Sequence, residues 1–278
     1  MLWIIPAIIA ALTDGTKDFL NRIVMIKEDP YVFAFIENFI ATLLFIPIFL
    51  TAKAPTNNIV YLFILISSII WVLIAIIGNY SYKYTEVSLR APVSQIRIIF
   101  LLLMSILFLS EKLTLNKGIG TFLIFSGLII LRFKKGKLDF KHKGIQLTIV
   151  TAFLVALVAI FDKLALNNAN PEFVSFYVYL IPAFILMFFT LKKKKEFKSI
   201  IKNQYKVVLG ASVLGAIFYY TSLKAYALID VSTVFPIIKT SALITVLLGI
   251  IFLKERQNML RRIIATLIIL AGIAVIYY

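Results

Sequence analysis

The sequence predicts an all-α integral membrane protein: ten transmembrane helices arranged as two inverted five-helix repeats. Three observations point there. Of the 278 residues, 62% are hydrophobic and 15% charged, against about a quarter charged in an ordinary soluble domain. The apolar residues fall in blocks of about 17–25, long enough for a helix to cross a ~30 Å hydrocarbon core, and the short alternating segments of a membrane barrel are missing. Finally, the second half of the chain repeats the first at a nearly constant spacing.

The blocks place spans at 2–26, 31–51, 58–80, 86–109, 113–133, 145–167, 171–191, 205–228, 230–253 and 258–278. The first begins without a basic segment or a small-residue cleavage site, so it is expected to be retained rather than removed as a signal peptide. "KEDP" links the first span to the second and "NNANP" the sixth to the seventh; Pro30 and Pro171 suit the first turn of the helix each one opens. The linkers 132–144 and 192–206 are longer and lysine-rich. They account for much of the net charge of +16, which in this setting reads as membrane topology and anionic headgroups rather than nucleic acid. The chain has no cysteine, and its one histidine, His142, lies in a basic loop, so thiolate metal sites and histidine-based catalysis are not expected; no metal and no cofactor are expected.

The repeat is visible when "YKYTEVSLRAP" (82–92) is set beside "YALIDVSTVFP" (226–236). Tyr82 pairs with Tyr226, Glu86 with Asp230, Ser88 with Ser232 and Pro92 with Pro236, each 144 residues apart, and Glu111 in "FLSEK" pairs with Glu255 in "FLKER" at the same offset. "LNR" (20–22) matches "FDK" (161–163) and Pro30 matches Pro171 at an offset of 141. The expected domains are 1–135 and 144–278, with a basic linker at 136–143. An odd number of spans per unit inverts the second unit relative to the first, an architecture of transporters that work around a midplane site. Lysine and arginine concentrate in 132–144, 192–206 and 254–262, so the positive-inside rule puts these loops in the cytoplasm and both termini outside, in a multi-pass protein of the cell membrane.

With a tyrosine-bearing segment, an acidic-Val-Ser step, a proline in the fourth helix, an "LxE[KR]" ending and a glycine-bearing fifth helix in each half, the chain resembles the EamA-type branch of the drug/metabolite transporter superfamily. The resemblance covers nearly the whole chain, twice. It implies transport of amino acids, other metabolites or drugs, often outward, and it implies cytoplasmic termini, the opposite of the charge-based orientation. The family's first helix carries a Trp-Gly-polar segment that faces a central cavity; here "TDGTKDF" (13–19) occupies that place with Gly15 but without the tryptophan.

That segment brings Asp14, Lys17 and Asp18 onto one helix face at bilayer depth. An ionised side chain there costs at least ~2.5–3.5 kcal/mol, so such residues face a partner or a cavity. They read either as a relay or substrate contact, or as an internal salt bridge that lowers the insertion cost, and Gly15 allows another helix to approach closely. Glu37 in the second span could face the same cavity or pair with a nearby cation. Arg97 in the fourth span and Lys239 in the ninth, the latter three residues after Pro236 where Gln95 follows Pro92, could hold an anionic group or neutralise Asp14, Asp18 and Glu37. Pro92 and Pro236 each free a carbonyl and can kink their helices toward a cavity.

Tyr82 and Tyr226 recur in the repeat and are candidates for lining or gating the pathway, whereas Tyr80, Tyr84, Tyr219 and Tyr220 fit an interfacial belt. Glu111 and Glu255 read as interfacial charges that fix a turn, Glu86 and Asp230 as helix starts, Asp162 and Lys163 as an edge pair, and Lys224 as a snorkelling cation.

The function expected from these features is secondary active transport of small polar metabolites such as amino acids, by an exporter or exchanger that alternates between its two repeats and is driven by protons or by exchange. The partners are a small-molecule substrate and the bilayer, not nucleic acid, with room for a homodimer. Alternatives are an organophosphate or nucleotide-sugar-type antiporter of the same superfamily and, from another class, an intramembrane enzyme or scaffold acting on lipid-linked substrates. An enzyme is disfavoured because the charges spread over both halves, and no Walker A sequence is present to couple ATP.

Overall fold

The computed structural model describes residues 2–109, 114–132, 141–255 and 258–277. Among them are thirteen helices and no strand: α1 (Ile4–Met25), α2 (Pro30–Phe49), α3 (Ile59–Tyr84), α4 (Val87–Val93), α5 (Ile96–Leu109), α6 (Leu115–Arg132), α7 (Lys143–Leu166), α8 (Pro171–Thr190), α9 (Lys194–Asn203), α10 (Tyr205–Leu228), α11 (Val231–Ile238), α12 (Ser241–Phe252) and α13 (Met259–Tyr277). Among the described residues, six segments are long and apolar enough to cross a membrane: α2, α3, Val87–Phe108, α7, α8 and α10. α1 is of similar length but carries Asp14, Lys17, Asp18 and Arg22.

Both expected proline starts are built as helix starts. Asp29 caps α2, its side chain accepting from the Tyr31 and Val32 amides at 3.0 Å each, and Pro30 follows as the first helical residue. Asn170 caps α8 by accepting from the Phe173 amide at 3.0 Å, ahead of Pro171. A proline at that position loses nothing, because the first-turn amides have no intrahelical partner.

In two places the elements differ from the expected spans. The fourth and ninth spans are each interrupted, α4 from α5 at Ser94–Gln95 and α11 from α12 at Lys239–Thr240. The breaks lie two to four residues past Pro92 and Pro236, and both are tightened by bonds of the 3₁₀ kind: Gln95 N to Pro92 O (3.1 Å) and Arg97 N to Ser94 O (3.1 Å), then Thr240 N to Ile237 O (3.1 Å) and Ala242 N to Lys239 O (3.2 Å). The second difference is α9, which occupies the stretch expected to be a plain basic linker. Its one buried residue is Ile200, and Phe197 beside it packs edge-on against Phe35 of α2. Lysines make up half of the rest of the helix, the pattern of an amphipathic segment lying along a bundle face.

The two halves are interleaved. α1 packs along α10 and α3 along α7, while α2 pairs with α8 and α6 with α13. Each of these pairs takes one helix from each half, and exchanging the halves maps the set onto itself. The polarity runs inside out relative to a soluble protein: Ile5, Ile8, Leu12, Leu43, Phe184 and Phe188 face outward, while Asp14, Glu37, Arg90, Arg97 and Lys239 are buried.

Small residues set how closely α6 and α13 approach. A Cβ on Gly272 would stand 2.7 Å from the Gly120 carbonyl oxygen and 2.9 Å from Leu123 Cβ, and one on Gly127 would stand 2.6 Å from Ile269 Cγ1. Gly272→Ala is therefore expected to force the helices apart and destabilise the protein by about 1–3 kcal/mol, read as a lower thermal unfolding midpoint in detergent. Gly118→Ala, whose Cβ would meet nothing within 4 Å, is the matched control and should leave that midpoint unchanged.

Candidate functional site

One face of the bundle gathers the ends of α1, α3, α8 and α12 with the starts of α4, α7 and α10: Asp29 meets Lys193 at 2.7 Å, Arg22 reaches the Lys83 carbonyl, and Glu255 reaches Ser88. This is the face that carries the basic segments 192–206 and 258–262. Between it and the middle of the helices lies a cavity of ≈ 100 Å³ lined from both halves. Its wall runs from Asp14, Arg97, Phe218 and Lys239 at mid-helix to Asn21, Tyr82, Arg90 and Thr148 nearer the basic face.

Seven ionisable groups of opposite sign line this cavity, and most of them are matched. Lys239 Nζ lies 2.9 Å from Asp14 Oδ2, and the Ser241 hydroxyl donates to the same oxygen at 2.8 Å. Lys17 Nζ lies 2.6 Å from Glu37 Oε1. Arg90 lies 3.5 Å from Asp18 Oδ2 and stacks 3.6 Å over the Tyr82 ring, while the Tyr82 hydroxyl donates to Asp18 Oδ1. Arg97 is the remaining cation. It donates to the Ser94 carbonyl at 2.8 Å and to the Ser94 hydroxyl, and no carboxylate of the described residues is in ion-pair contact with it. One more polar atom in the wall, Asn21 Oδ1, is buried without a hydrogen-bond partner among the described residues, and so is available to a bound solute.

The local geometry explains why these side chains converge. Asp14, Lys17 and Asp18 share a face of α1, as their spacing requires, but the internal bridge considered for them does not form: each reaches a different helix. α12 can come close enough for Ser241 to reach Asp14 because Gly15 has no side chain; a Cβ there would stand 2.8 Å from both Ile244 Cβ and the Ser241 carbonyl oxygen. Arg97 and Lys239 lie at the two helix interruptions, so the breaks deliver a cation from each half to the middle of the bundle.

Other expected residues fall elsewhere. Tyr226 is buried outside the cavity wall, unlike its repeat partner Tyr82. Gln95 turns back on its own helix, donating to the Ala91 carbonyl at 3.0 Å. Pro92 is buried in α4, and Pro236 lies within α11. Glu86 precedes α4 without capping it and binds Arg262 instead, and Asp230 precedes α11 without a side-chain cap. Lys224 does not snorkel alone; it pairs with Glu172 at 2.6 Å. Glu111 lies outside the described residues.

Two corrections concern other charged residues. Asp162 and Lys163 are not an edge pair, because consecutive helix residues point about 100° apart. Lys163 donates to the carbonyls of Tyr226 (2.7 Å) and Ile229 (3.2 Å), whereas Asp162 is buried between the hydroxyls of Ser67 and Tyr219. Arg22, the repeat partner of Lys163, does the matching job in the first half: it donates to the carbonyls of Tyr82 and Lys83. In both halves a cation late in the first helix thus satisfies the open carbonyls at the end of the third. Glu255 does more than fix a turn. Its carboxylate accepts from the amides of Val87 (3.1 Å) and Ser88 (2.8 Å) and from the Ser88 hydroxyl (2.6 Å), so the second half caps the N-terminus of α4 in the first.

Arg90 and Trp71 were not expected at the site from sequence. Arg90 sits inside the repeated motif, where its partner is Val234; a charge facing an apolar residue across the repeat was the available signal.

A model of the EamA-like transporter family matches the chain twice, over residues 1–133 and 142–278, so the domain is duplicated. An uncharacterised transporter from Archaeoglobus fulgidus is 29% identical over 188 residues, 65% of this chain and 64% of the relative, so the match spans less than two thirds of that relative's length. A protein of solved crystal structure superposes with a TM-score of 0.67 over 96% of this chain and 95% of its own, at 14% identity, a likeness of fold.

Proposed function

The chain belongs to the EamA-like transporter family, and on that premise we propose that this multi-pass membrane protein is a secondary active transporter of small polar metabolites carrying a carboxylate, amino acids or related compounds, exposing one site alternately through two inverted five-helix units. In this reading the units are 1–135 and 144–278, joined by the basic linker 136–143; α4 with α5 and α11 with α12 each count as one interrupted span, and α9 does not cross. The basic face is cytoplasmic by the positive-inside rule.

The observation that supports the substrate class most is the charge count of the cavity. Four cations, Lys17, Arg90, Arg97 and Lys239, meet three carboxylates, Asp14, Asp18 and Glu37. A solute carboxylate at Arg97 completes the pairing, and a fork of guanidinium donors suits its two oxygens. Asn21 remains for the solute's other polar groups. The size of the cavity, ≈ 100 Å³, favours small solutes over nucleotide sugars, since pockets for larger ligands run to ~300–1,000 Å³. Helices drawn from both halves surround the site, as rocking of one unit against the other requires.

The test is counterflow. Purified protein in proteoliposomes preloaded with an unlabelled amino-acid mixture should accumulate a labelled amino acid transiently above its equilibrium level. Uptake equal to that of protein-free liposomes for every amino acid tried would overturn the substrate class.

A further inference from the structure

Asp162 takes no part in the cavity, yet it is among the most deeply buried charged residues in the protein, 2% exposed. It sits on α7 two turns beyond Val155, which lines the cavity, and on the side away from the basic face. Its carboxyl group is held by the Ser67 hydroxyl of α3 and by the Tyr219 hydroxyl of α10 at 3.0 Å. No cation of the described residues is in ion-pair contact with it; Lys163, next in the chain, is turned to the α10 carbonyls. The other groups facing it from the packed helices are the phenols of Tyr179 on α8 and Tyr226 on α10. An ionised carboxylate buried without a cation is expensive, and binding a proton removes that cost.

Two features connect Asp162 to the transport site. An aromatic layer separates them: the Tyr219 ring packs edge-on against Trp71 (5.4 Å) and Tyr179 (5.5 Å), both of which line the cavity. A solute that displaces Trp71 or Tyr179 therefore moves the phenol that holds Asp162. The second feature is the repeat. At the offset of 141, Asp162 is the counterpart of Asn21, and Asn21 lines the cavity. When the two halves exchange conformations, Asp162 takes the wall position that Asn21 holds here, facing a cavity on the opposite side of the protein.

We propose that Asp162 is the proton-binding site that couples transport, sealed behind Trp71, Tyr179 and Tyr219 in this conformation and open to the face away from the basic loops in the other. One proton binds the carboxylate from that face in the other conformation and, when the aromatic layer parts in this one, leaves through the cavity to the basic face; no other bond is made or broken. In the sealed state the protonated group needs no counter-charge, so the proton stabilises closure of that side. The proposal rests on the transporter reading above and assigns its driving ion.

Infrared difference spectroscopy tests the site without a substrate. Reconstituted full-length protein is titrated with acid and alkali, and the carboxylic C=O stretch is followed in the wild type, Asp162→Asn and Asp162→Glu. The amide of Asp162→Asn can still meet Ser67 and Tyr219, so this variant should fold. A titrating band in the wild type that is lost in Asp162→Asn and shifted in frequency in Asp162→Glu is the expected result. The same band in all three, or no titrating band in the wild type, would overturn the proposal. Counterflow separates this outcome from failure of the transporter reading: Asp162→Asn should retain counterflow at equal pH and lose at least tenfold of its stimulation by an imposed pH gradient. Stimulation equal to that of the wild type, or dependence on sodium in place of the pH gradient, would count against a proton site, whereas loss of counterflow in the wild type would count against the transporter alone.

Discussion

Asp14→Asn is expected to destabilise the protein by about 3–5 kcal/mol, the usual cost of leaving one member of a buried ion pair without its partner. Lys239 is 2% exposed, and its ammonium group has Asp14 at 2.9 Å, with the rings of Phe218 and Phe235 about it at 4.9 and 5.3 Å from their centroids. An asparagine keeps the bond from Ser241 but removes the only charge in ion-pair contact with the ammonium among the described residues. Removing the cation as well should recover most of the loss, since a well-packed apolar replacement of an ion pair is often neutral or better; Asp14→Asn combined with Lys239→Met is the variant to make. Unfolding midpoints of the single and double variants in one detergent measure this. Counterflow then separates the two roles considered for the pair. If it only neutralises a buried charge, the stable double variant transports; if it contacts solute, the double variant folds and does not.

Arg97→Gln should have the opposite profile, a stable protein with counterflow reduced roughly 10- to 150-fold. The factor corresponds to the ~1.5–3 kcal/mol carried by a hydrogen bond to a charged group. Because Arg97 bonds to Ser94 and has no carboxylate partner among the described residues, its removal strands no buried anion, and the unfolding midpoint should stay within a few degrees. Arg97→Lys should restore only part of the activity, because an ammonium cannot match two carboxylate oxygens at once. A large fall in stability, or full counterflow in Arg97→Gln, would remove Arg97 from the site.

The contrast between these two expectations also marks what could be read from sequence. The repeat was legible because residues that shape the backbone, Pro30 with Pro171 and Pro92 with Pro236, recur at fixed spacing. The convergence of Asp14, Lys17, Asp18, Glu37, Arg97 and Lys239 on one cavity follows from the cost of charge at depth, which leaves few other places for them. The pairing within that set was not legible: whether Lys239 meets Asp14 or stands free depends on the approach of α12 to α1, which Gly15 permits but does not specify. The helix interruptions were not legible for a related reason. A proline weakens the helix around it, while the position of the break is settled by which carbonyls and amides find 3₁₀ partners. α9 was hidden because its lysines dominate the composition and only Ile200 and Phe197 face inward. Asp162 was misread through its neighbour Lys163, although helical geometry alone separates the two.

The interleaving of the halves bears on how the chain is made. Asp14 pairs with a residue 225 positions later, and at ~5–20 residues per second of synthesis Lys239 emerges roughly 10–45 s after it. For most of that interval the first helix holds charges whose partners Lys239 and Glu255 have not yet been translated, and α10, the helix it will lie against, is also missing or incomplete. During biogenesis this helix is therefore expected to complete its packing only after the second half arrives. Substitutions in this helix can therefore lower the yield of protein in the membrane through failed assembly, before any effect on its activity can be seen.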